Sequence, residues 1–404
     1  MKIIKEVEEV MDRIEEAGYE VYAVGGSVRD ALLGREPYDW DLASSASAET
    51  IVRLFPRTAK TGLKFGIVKV FHEGTAIDVA TYRTDGPYED GRRPSRVDFT
   101  SDLSEDLKRR DFTINAMAFS PKRGLKDPFN GQKDLQQKII RTVGDPAERF
   151  KEDALRILRA VRFSGQLDFE IDKAAFSSMQ AKAELLSLIS MERIREEFEK
   201  IMISAKPGKS LKLCYDLGLF PYILGEAFRS ISEQEKQRFL AMAGAIDASQ
   251  KDIDIRLSLF LLVFDTDKVM KAIDKLKFDN LRKTKLKSIK YLVADLSLIK
   301  SKEALKKFIG RCGLDTYYFT EEVAQEHVHW DDRKRWLEEI LSNKEAIFLS
   351  DLAVNGDDLI KAGVAKGANV GKVLFFLLDH VHLHASDNLS DILLAKASEF
   401  KKHG

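Results

Sequence analysis

The run Gly25-Gly26-Ser27-Val28-Arg29-Asp30, then Leu33-Gly34-Arg35, then Asp39-Trp40-Asp41, brings together residue types suited to polyphosphate chemistry. Adjacent glycines entering a helix let backbone N–H groups approach a phosphate closely, and the helix N-terminus adds partial positive charge. Gly26 and Arg29 are therefore candidates for holding a triphosphate, with Arg29 contributing a full charge. Side chains two apart on a strand point to one side, so Asp39 and Asp41 can turn carboxylate oxygens toward a common pair of magnesium ions. Two such ions about 3.5–4 Å apart would activate an attacking 3′-hydroxyl and stabilise a leaving pyrophosphate. A lone Gly-Gly or Asp-x-Asp carries little weight, because both arise in turns and exposed strands. Their order along one chain carries much more.

The surrounding pattern supplies elements to hold these groups. Ile3, Val7, Val10, Met11 and Ile14 recur at helical spacing, and Gly18 follows as a stop. Residues 19–24 read as a strand ending at the glycine pair, and residues 27–33 as a short helix closed by Gly34. Residues 39–43 read as a second strand, 48–55 as a helix, and 66–71 and 75–82 as two strands joined by His72-Glu73-Gly74. Residues 83–98 turn polar and rich in Gly, Pro, Arg and Asp, which predicts a loop. From about Phe150 the helical period dominates almost to the end, with Ala205-Lys206-Pro207-Gly208 as the clearest break.

The ordered opening motif resembles the signature of the polymerase-β-like nucleotidyltransferase superfamily, in particular the bacterial class II CCA-adding tRNA nucleotidyltransferases. Further motifs match that family in order. Arg109-Arg110-Asp111-Phe112-Thr113-Ile114-Asn115-Ala116 resembles its second motif, in which the latter arginine, here Arg110, contacts the incoming nucleotide. Paired arginines repel unless anions or carboxylates face them, so a phosphate role fits, and a surface pair is the plain alternative. Asp127-Pro128-Phe129-Asn130-Gly131-Gln132-Lys133-Asp134 resembles the hinge-like third motif, and Ser190-Met191-Glu192-Arg193-Ile194 the fifth, where helix capping and packing are expected. Asp78, in Ile77-Asp78-Val79-Ala80, stands where the superfamily often places a third metal-binding carboxylate, or is a structural strand residue.

The fourth motif is Glu152-Asp153-Ala154-Leu155-Arg156-Ile157-Leu158-Arg159-Ala160-Val161-Arg162. Residues three apart on a helix are neighbours, so Asp153 and Arg156 can present an acceptor and a donor to one ligand. Cytosine and adenine both offer an exocyclic amino donor beside a ring-nitrogen acceptor, whereas guanine and uracil present a carbonyl and a ring N–H. The pair would thus select CTP and ATP. Without the head motifs, the same two residues read as an ordinary intrahelical ion pair. The resemblance implies that Arg159 and Arg162 also bind nucleotide. It further implies that Asp90, Arg92 and Arg93 belong to a flexible loop needed for terminal A addition.

The fold class expected is therefore α+β: an N-terminal mixed α/β nucleotidyltransferase head with a small sheet, followed by an all-α neck, body and tail. The boundaries expected are 1–140 for the head, 141–205 for the neck that selects the base, and 206–319 and 320–404 for a tRNA-binding body and tail. At 404 residues and 44% hydrophobic content the chain is too long for one ordinary domain. Net charge is zero, from 65 basic and 65 acidic residues, so a nucleic-acid partner must be met by local patches. Residues 268–290 hold nine Lys or Arg against two Asp and are the best C-terminal candidate, with a solvated helix face as the alternative. Cys214 and Cys312 are far apart and suggest neither a disulfide framework nor a zinc site. His327, His329, His380, His382 and His384 form no metal-ligand pattern of the HExxH kind. No signal-peptide-like stretch opens the chain, and residues 257–264 are far short of a membrane span, so a cytoplasmic location without membrane contact is expected.

The partners implied are CTP, ATP and the 3′ acceptor end of tRNA, with two magnesium ions as cofactor. A CC-adding, A-adding or poly(A)-adding enzyme of the same superfamily is one alternative. A catalytically silent RNA-binding protein is another.

Overall fold

The structure is a computed structural model that describes residues 1–86, 97–324 and 331–403. Asp90, Arg92 and Arg93, and with them His327 and His329, lie outside the described residues. The chain divides into two compact units, Met1–Arg256 with Val263–Asp279, and Leu257–Leu262 with Asn280–Gly404.

The first unit opens with α1 (Lys5–Glu16), whose apolar stripe Val7, Val10, Met11 and Ile14 is fully buried. Gly18, at φ 89°, ends it by letting the Gly18 and Tyr19 amides return to the Glu15 and Ile14 carbonyls. Strand β1 (Val21–Val24) follows, then α2 (Gly26–Leu32), β2 (Asp41–Ser44), α3 (Ala48–Leu54), β3 (Thr58–Gly62), β4 (Ile67–His72) and β5 (Thr75–Thr81). The β4–β5 link is a two-residue hairpin with positive φ at both Glu73 and Gly74, the geometry that twisted antiparallel strands favour. Ser47 caps α3 by accepting from the Thr50 amide.

Residues 83–98 depart from the loop expected at their ends. Strand β6 (Arg83–Asp85) pairs antiparallel with β7 (Val97–Phe99), so a short ribbon brackets the undescribed segment. After α4 (Leu103–Lys108) come β8 (Ala118–Ser120), β9 (Gly124–Lys126), α5 (Gly131–Gln137) and β10 (Ile139–Ile140). The main sheet has seven strands in the order β3-β4-β5-β2-β1-β8-β9, with β2 and β5 parallel and the other neighbours antiparallel.

Asp39 is not on a strand as expected. Its β1 neighbour ends at Val24, paired with Asp41, and Gly25 at φ 76° then takes the chain out of the sheet. On that side the backbone of Asp39 has no partner, and β2 begins only at Asp41. Asp39 and Asp41 are nonetheless both exposed, Trp40 between them is buried, and both acids border one cleft.

The rest of the unit is helical apart from β11 (Glu170–Ile171), which pairs with β10. Helices α6 (Pro146–Glu152), α7 (Leu155–Leu167), α8 (Lys173–Lys182) and α9 (Met191–Met202) are followed by α10 (Pro207–Asp216), α11 (Phe220–Leu224) and α12 (Glu233–Ala248). The break at Ala205-Lys206-Pro207-Gly208 separates α9 from α10, with Pro207 in the first turn where its missing N–H costs nothing. Helix α10 packs on α7 at Gly165, where an added Cβ would lie 2.1 Å from the Ser210 hydroxyl. Next come α13 (Ile253–Leu262), whose residues from Leu257 onward belong to the second unit, and α14 (Thr266–Lys275) of the first.

That second unit contains α15 (Asn280–Ser297), α16 (Lys302–Cys312), α17 (Leu314–Ala324), α18 (Asp331–Ser342), α19 (Gly356–Lys361), α20 (Asn369–Leu383) and α21 (Ser390–His403). One core gathers Leu296, Leu305, Ile309, Tyr317 and Ile340, and another Leu359, Val373, Leu377, Val381 and Leu393. The basic run 268–290 crosses from the first unit into the second. Within the first unit Lys268 pairs with Glu235 at 2.7 Å and Lys277 with Glu192 at 2.9 Å, so part of its charge is already neutralised. Among the described residues no helix is long and apolar enough to cross a membrane.

Candidate active site

A cleft of about 650 Å³ in the first unit is bordered by Gly26, Arg29, Asp39, Asp41, Arg110, Asp153, Arg156, Arg159 and Arg162. Of the described residues proposed from the sequence to bind nucleotide or metal, all but Asp78 are among them. A larger cavity of about 940 Å³ in the second unit is mostly apolar around Leu298, Ile299 and Phe308, and its charged lining forms the ion pairs Lys307–Asp379 and Arg311–Asp295. Size is therefore a poor guide here, and the convergence of charged groups a better one.

The β1–α2 turn builds one part of the cleft. Gly25 has φ 76°, a conformation that favours glycine, and a Cβ there would stand 2.9 Å from Arg110 Nη1, which would have to shift. Ser27 donates to the Val24 carbonyl at 3.1 Å and ties the helix start to the strand. Arg29 is buried and donates to both Asp30 oxygens at 2.8 and 2.9 Å and to Asn115 Oδ1 at 2.8 Å. Its guanidinium reaches the cleft already oriented by three acceptors.

Asp41 sits in register with Asp78 on the parallel strand β5. Its carboxyl is pushed above the ordinary range by the protein crowding the cleft floor and then by the charge of Asp39, with Arg110 opposing. Asp78 adds to the rise and its own Oδ2 accepts from Lys69 Nζ at 2.9 Å. Two carboxylates that repel across a solvated floor form an all-oxygen donor set with an unmet need for positive charge, and this suits a hard divalent cation such as magnesium.

The second motif supplies what faces the paired arginines. Asp106, a buried α4 residue that sequence reasoning did not find, accepts from Arg109 Nη2 at 2.8 Å and from Arg110 Nη2 at 3.3 Å. Burial pushes the Asp106 carboxyl up, but Arg109 and Arg110 outweigh it and hold it below the usual range. Asp111, next in the chain, accepts from the Phe112 amide, from Asn115 Nδ2 at 3.1 Å and from Arg159 Nε at 2.7 Å. Its complete burial raises its proton affinity, yet Arg159 and Asn115 overcome this and bring its pKa to about 2. That ion pair fastens the second motif to α7.

The fourth motif is arranged differently from expectation. Asp153 does not lie on a helix: its φ of −147° breaks the chain between α6 and α7, and its Oδ1 accepts from the Leu155 amide at 3.1 Å. The intrahelical pair with Arg156 does not form. Asp153 instead accepts from Arg193 Nη2 at 2.7 Å, and Arg156 donates to Glu152 at 2.5 Å and to the Arg109 carbonyl at 3.2 Å. Asp153 ends α6 because its own carboxylate captures the Leu155 amide, a local bond that competes with helix continuation. Both side chains nevertheless border the same cleft.

Arg193 corrects the expectation for the fifth motif, since Ser190 makes no side-chain cap at the start of α9, while Arg193 borders the cleft and holds Asp153. No local pattern marks it, because its partner lies on a different element. Arg162 donates to Glu197 at 3.0 Å and to Gln166 at 2.8 Å. The Phe163 ring lies beneath the guanidiniums of Arg29, Arg159 and Arg162, at 5.1, 5.5 and 4.1 Å. An aromatic face attracts each cation and gives the three a common seat. In the third motif Asp127 accepts from the Gly131 and Gln132 amides at 2.7 and 2.9 Å and so starts α5.

The chain is similar to known proteins over nearly its whole length. The Poly A polymerase head domain family matches residues 21–141, and the family described as the probable RNA and SrmB-binding site of polymerase A matches residues 168–230. A CCA-adding enzyme of Pediococcus pentosaceus is 38% identical over 90% of this chain and 90% of its own. One of Limosilactobacillus reuteri is 35% identical over 98% and 96%. The crystal structure of the Bacillus stearothermophilus CCA-adding enzyme in complex with CTP superposes with a TM-score of 0.82 at 30% identity, covering 100% of this chain and 99% of that one. The motif order, the cleft they share and kinship over nearly the whole chain place this protein in the family of CCA-adding enzymes.

Proposed function

We propose that the enzyme completes the 3′ end of tRNA in the cytoplasm by adding C, C and A from CTP and ATP, with release of pyrophosphate. The observation that carries this reading is that Asp39 and Asp41 border the same cleft as Asp153 and Arg156. A catalytically silent RNA-binding descendant has no need to keep both carboxylates beside a base-reading pair.

The chain's own residues divide the work. Arg29 and Arg110 meet the triphosphate beside the amide-bearing turn at Gly26. Asp39 and Asp41 would hold two magnesium ions, which when bound lower the cost of deprotonating the 3′-hydroxyl and neutralise charge on the leaving pyrophosphate. Asp78, whose Oδ2 already accepts from Lys69, is left with lone pairs through which it could join them. Asp153 keeps acceptor capacity beyond the two bonds from Arg193, since a carboxylate offers about four lone-pair sites, and so can take the amino group of C or A. Arg156 keeps N–H groups beyond those given to Glu152, Arg149 and Arg109 and can donate to the ring nitrogen. Arg159 and Arg162 complete the nucleotide's surroundings, and the passage from C to A addition is assigned to Asp90, Arg92 and Arg93. In this reading residues 1–140 are the catalytic head, 141–205 the base-selecting neck, and 206–319 and 320–404 the tRNA-binding body and tail.

The test is incorporation on a tRNA ending at the nucleotide before CCA. CTP alone should add CC, CTP with ATP should add CCA, and ATP alone should add little. A poly(A) ladder, or products that stop at CC with both nucleotides present, would move the enzyme to one of the narrower activities of its superfamily.

A further inference from the structure

Tyr38 stands immediately before Asp39 and borders the catalytic cleft, yet no role described so far uses it. Its relative exposure is 102%, the highest among the large apolar side chains exposed in the described residues. A single exposed tyrosine is ordinary on a protein surface. This one is set apart by how it is held. Pro37 fixes the backbone just before it, and Trp40, 4% exposed, anchors the chain two residues after it, so the ring projects from a segment pinned on both sides. A fixed backbone beneath a side chain with only two χ angles limits the entropy lost when a flat partner lands on the ring.

We propose that Tyr38 is a stacking platform for the base at the 3′ end of the RNA being extended, an inference that rests on the tRNA-extending reading above. The incoming base is assigned to Asp153 and Arg156 at the α6–α7 junction, whereas Tyr38 belongs to the segment that carries Asp39. The 3′-hydroxyl must come to the Asp39 and Asp41 carboxylates, and the base on that same ribose is then the aromatic surface nearest the residue next door. Every base has a π-face, so a stacking contact tolerates whichever nucleotide ends the RNA. This matters for an enzyme whose substrate acquires a new terminal base at each addition. Tyr38 is thus a positioning residue that raises the residence of the RNA end, and it exchanges no proton with the reacting atoms.

The experiment compares wild-type, Tyr38→Ala and Tyr38→Phe enzymes on tRNA ending at the nucleotide before CCA, and on the same tRNA with an abasic terminal nucleotide. Tyr38→Ala should raise KM for the normal tRNA about tenfold while leaving KM for CTP unchanged, and Tyr38→Phe should restore the wild-type value. The abasic tRNA should cost the wild-type enzyme a similar factor and the Tyr38→Ala enzyme almost nothing more, because the two changes remove one contact. An unchanged KM for tRNA, equal loss in Tyr38→Phe, a shift in KM for CTP, or multiplying losses in the abasic pair would each overturn the assignment. Wild-type addition of CCA checks the underlying activity separately, so failure of the platform leaves that reading standing.

Discussion

Replacing Asp41 by asparagine should reduce nucleotide incorporation by at least about a thousandfold without weakening the fold. The substitution keeps shape and removes a full negative charge from the carboxylate pair, and loss of metal-assisted charge stabilisation is an effect of several kcal/mol on the barrier. Stability should move the other way. In the folded chain the Asp41 carboxyl is pushed above its ordinary range by its crowded surroundings and by Asp39. A group with a raised folded pKa destabilises the folded form once pH exceeds the unfolded value, so at neutral pH the charged Asp41 is a burden that asparagine removes. Thermal unfolding without metal should therefore give an equal or higher Tm for Asp41→Asn, while tRNA binding stays near wild type. A lowered Tm would show that the lost turnover reflects a damaged fold, and retained turnover would remove Asp41 from the metal set.

The second large effect is expected at Asp111. Asp111→Ala leaves the Arg159 guanidinium without the carboxylate now 2.6 Å away, with Glu197 at 4.0 Å as the nearest substitute. Arg159 keeps about a third of its side chain exposed to the cleft, so losing its buried partner should cost about 1–3 kcal/mol, the range for a lost charge-assisted bond. The same change removes the side-chain tie of the second motif to α7 and leaves the Arg156–Arg109 carbonyl bond, so Arg159 loses its fixed place in the cleft and turnover should fall with stability. The acid limb of the stability curve provides an independent check. Asp111 has a folded pKa of about 2 against an ordinary value of 3.8. A depressed pKa means that its contribution, about 2 kcal/mol, is fully present above the unfolded value and is lost as pH falls from there through the folded one. Denaturant unfolding between pH 5 and pH 2 should show this slope in wild type and a shallower one in Asp111→Asn. Identical slopes would mean that the pair carries no linkage to folding.

Local periodicity made much of this molecule legible. The α1 stripe from Val7 to Ile14 is buried as its spacing required, and the alternation around Asp39, Trp40 and Asp41 put both acids on the open side even though only Asp41 is on a strand. Strands β8 and β9 escaped notice because three residues each are too few to establish a period of two. The cleft's inner bracing was illegible for a different reason. Asp106 under the paired arginines, Asp111 on Arg159 and Arg193 on Asp153 are contacts whose energy lies in tertiary placement, and no one-dimensional spacing encodes them. The helical neighbour rule failed at Asp153 because a short acidic side chain can bond to the amide of Leu155 and end a helix where charge spacing alone suggested it continued.

In the proposed reaction, side chains at the α6–α7 junction choose the base for chemistry performed at the carboxylate pair. The most direct measurement is the ratio of kcat/KM for CTP to that for UTP, compared between the wild-type enzyme and Asp153→Ala. Loss of one polar contact to a base edge is worth about 1–3 kcal/mol of discrimination, so the ratio should fall by roughly 10- to 100-fold in the variant, chiefly through poorer use of CTP. A ratio that survives the substitution unchanged would mean that the base is chosen elsewhere, and that the shared cleft does not do what its geometry implies.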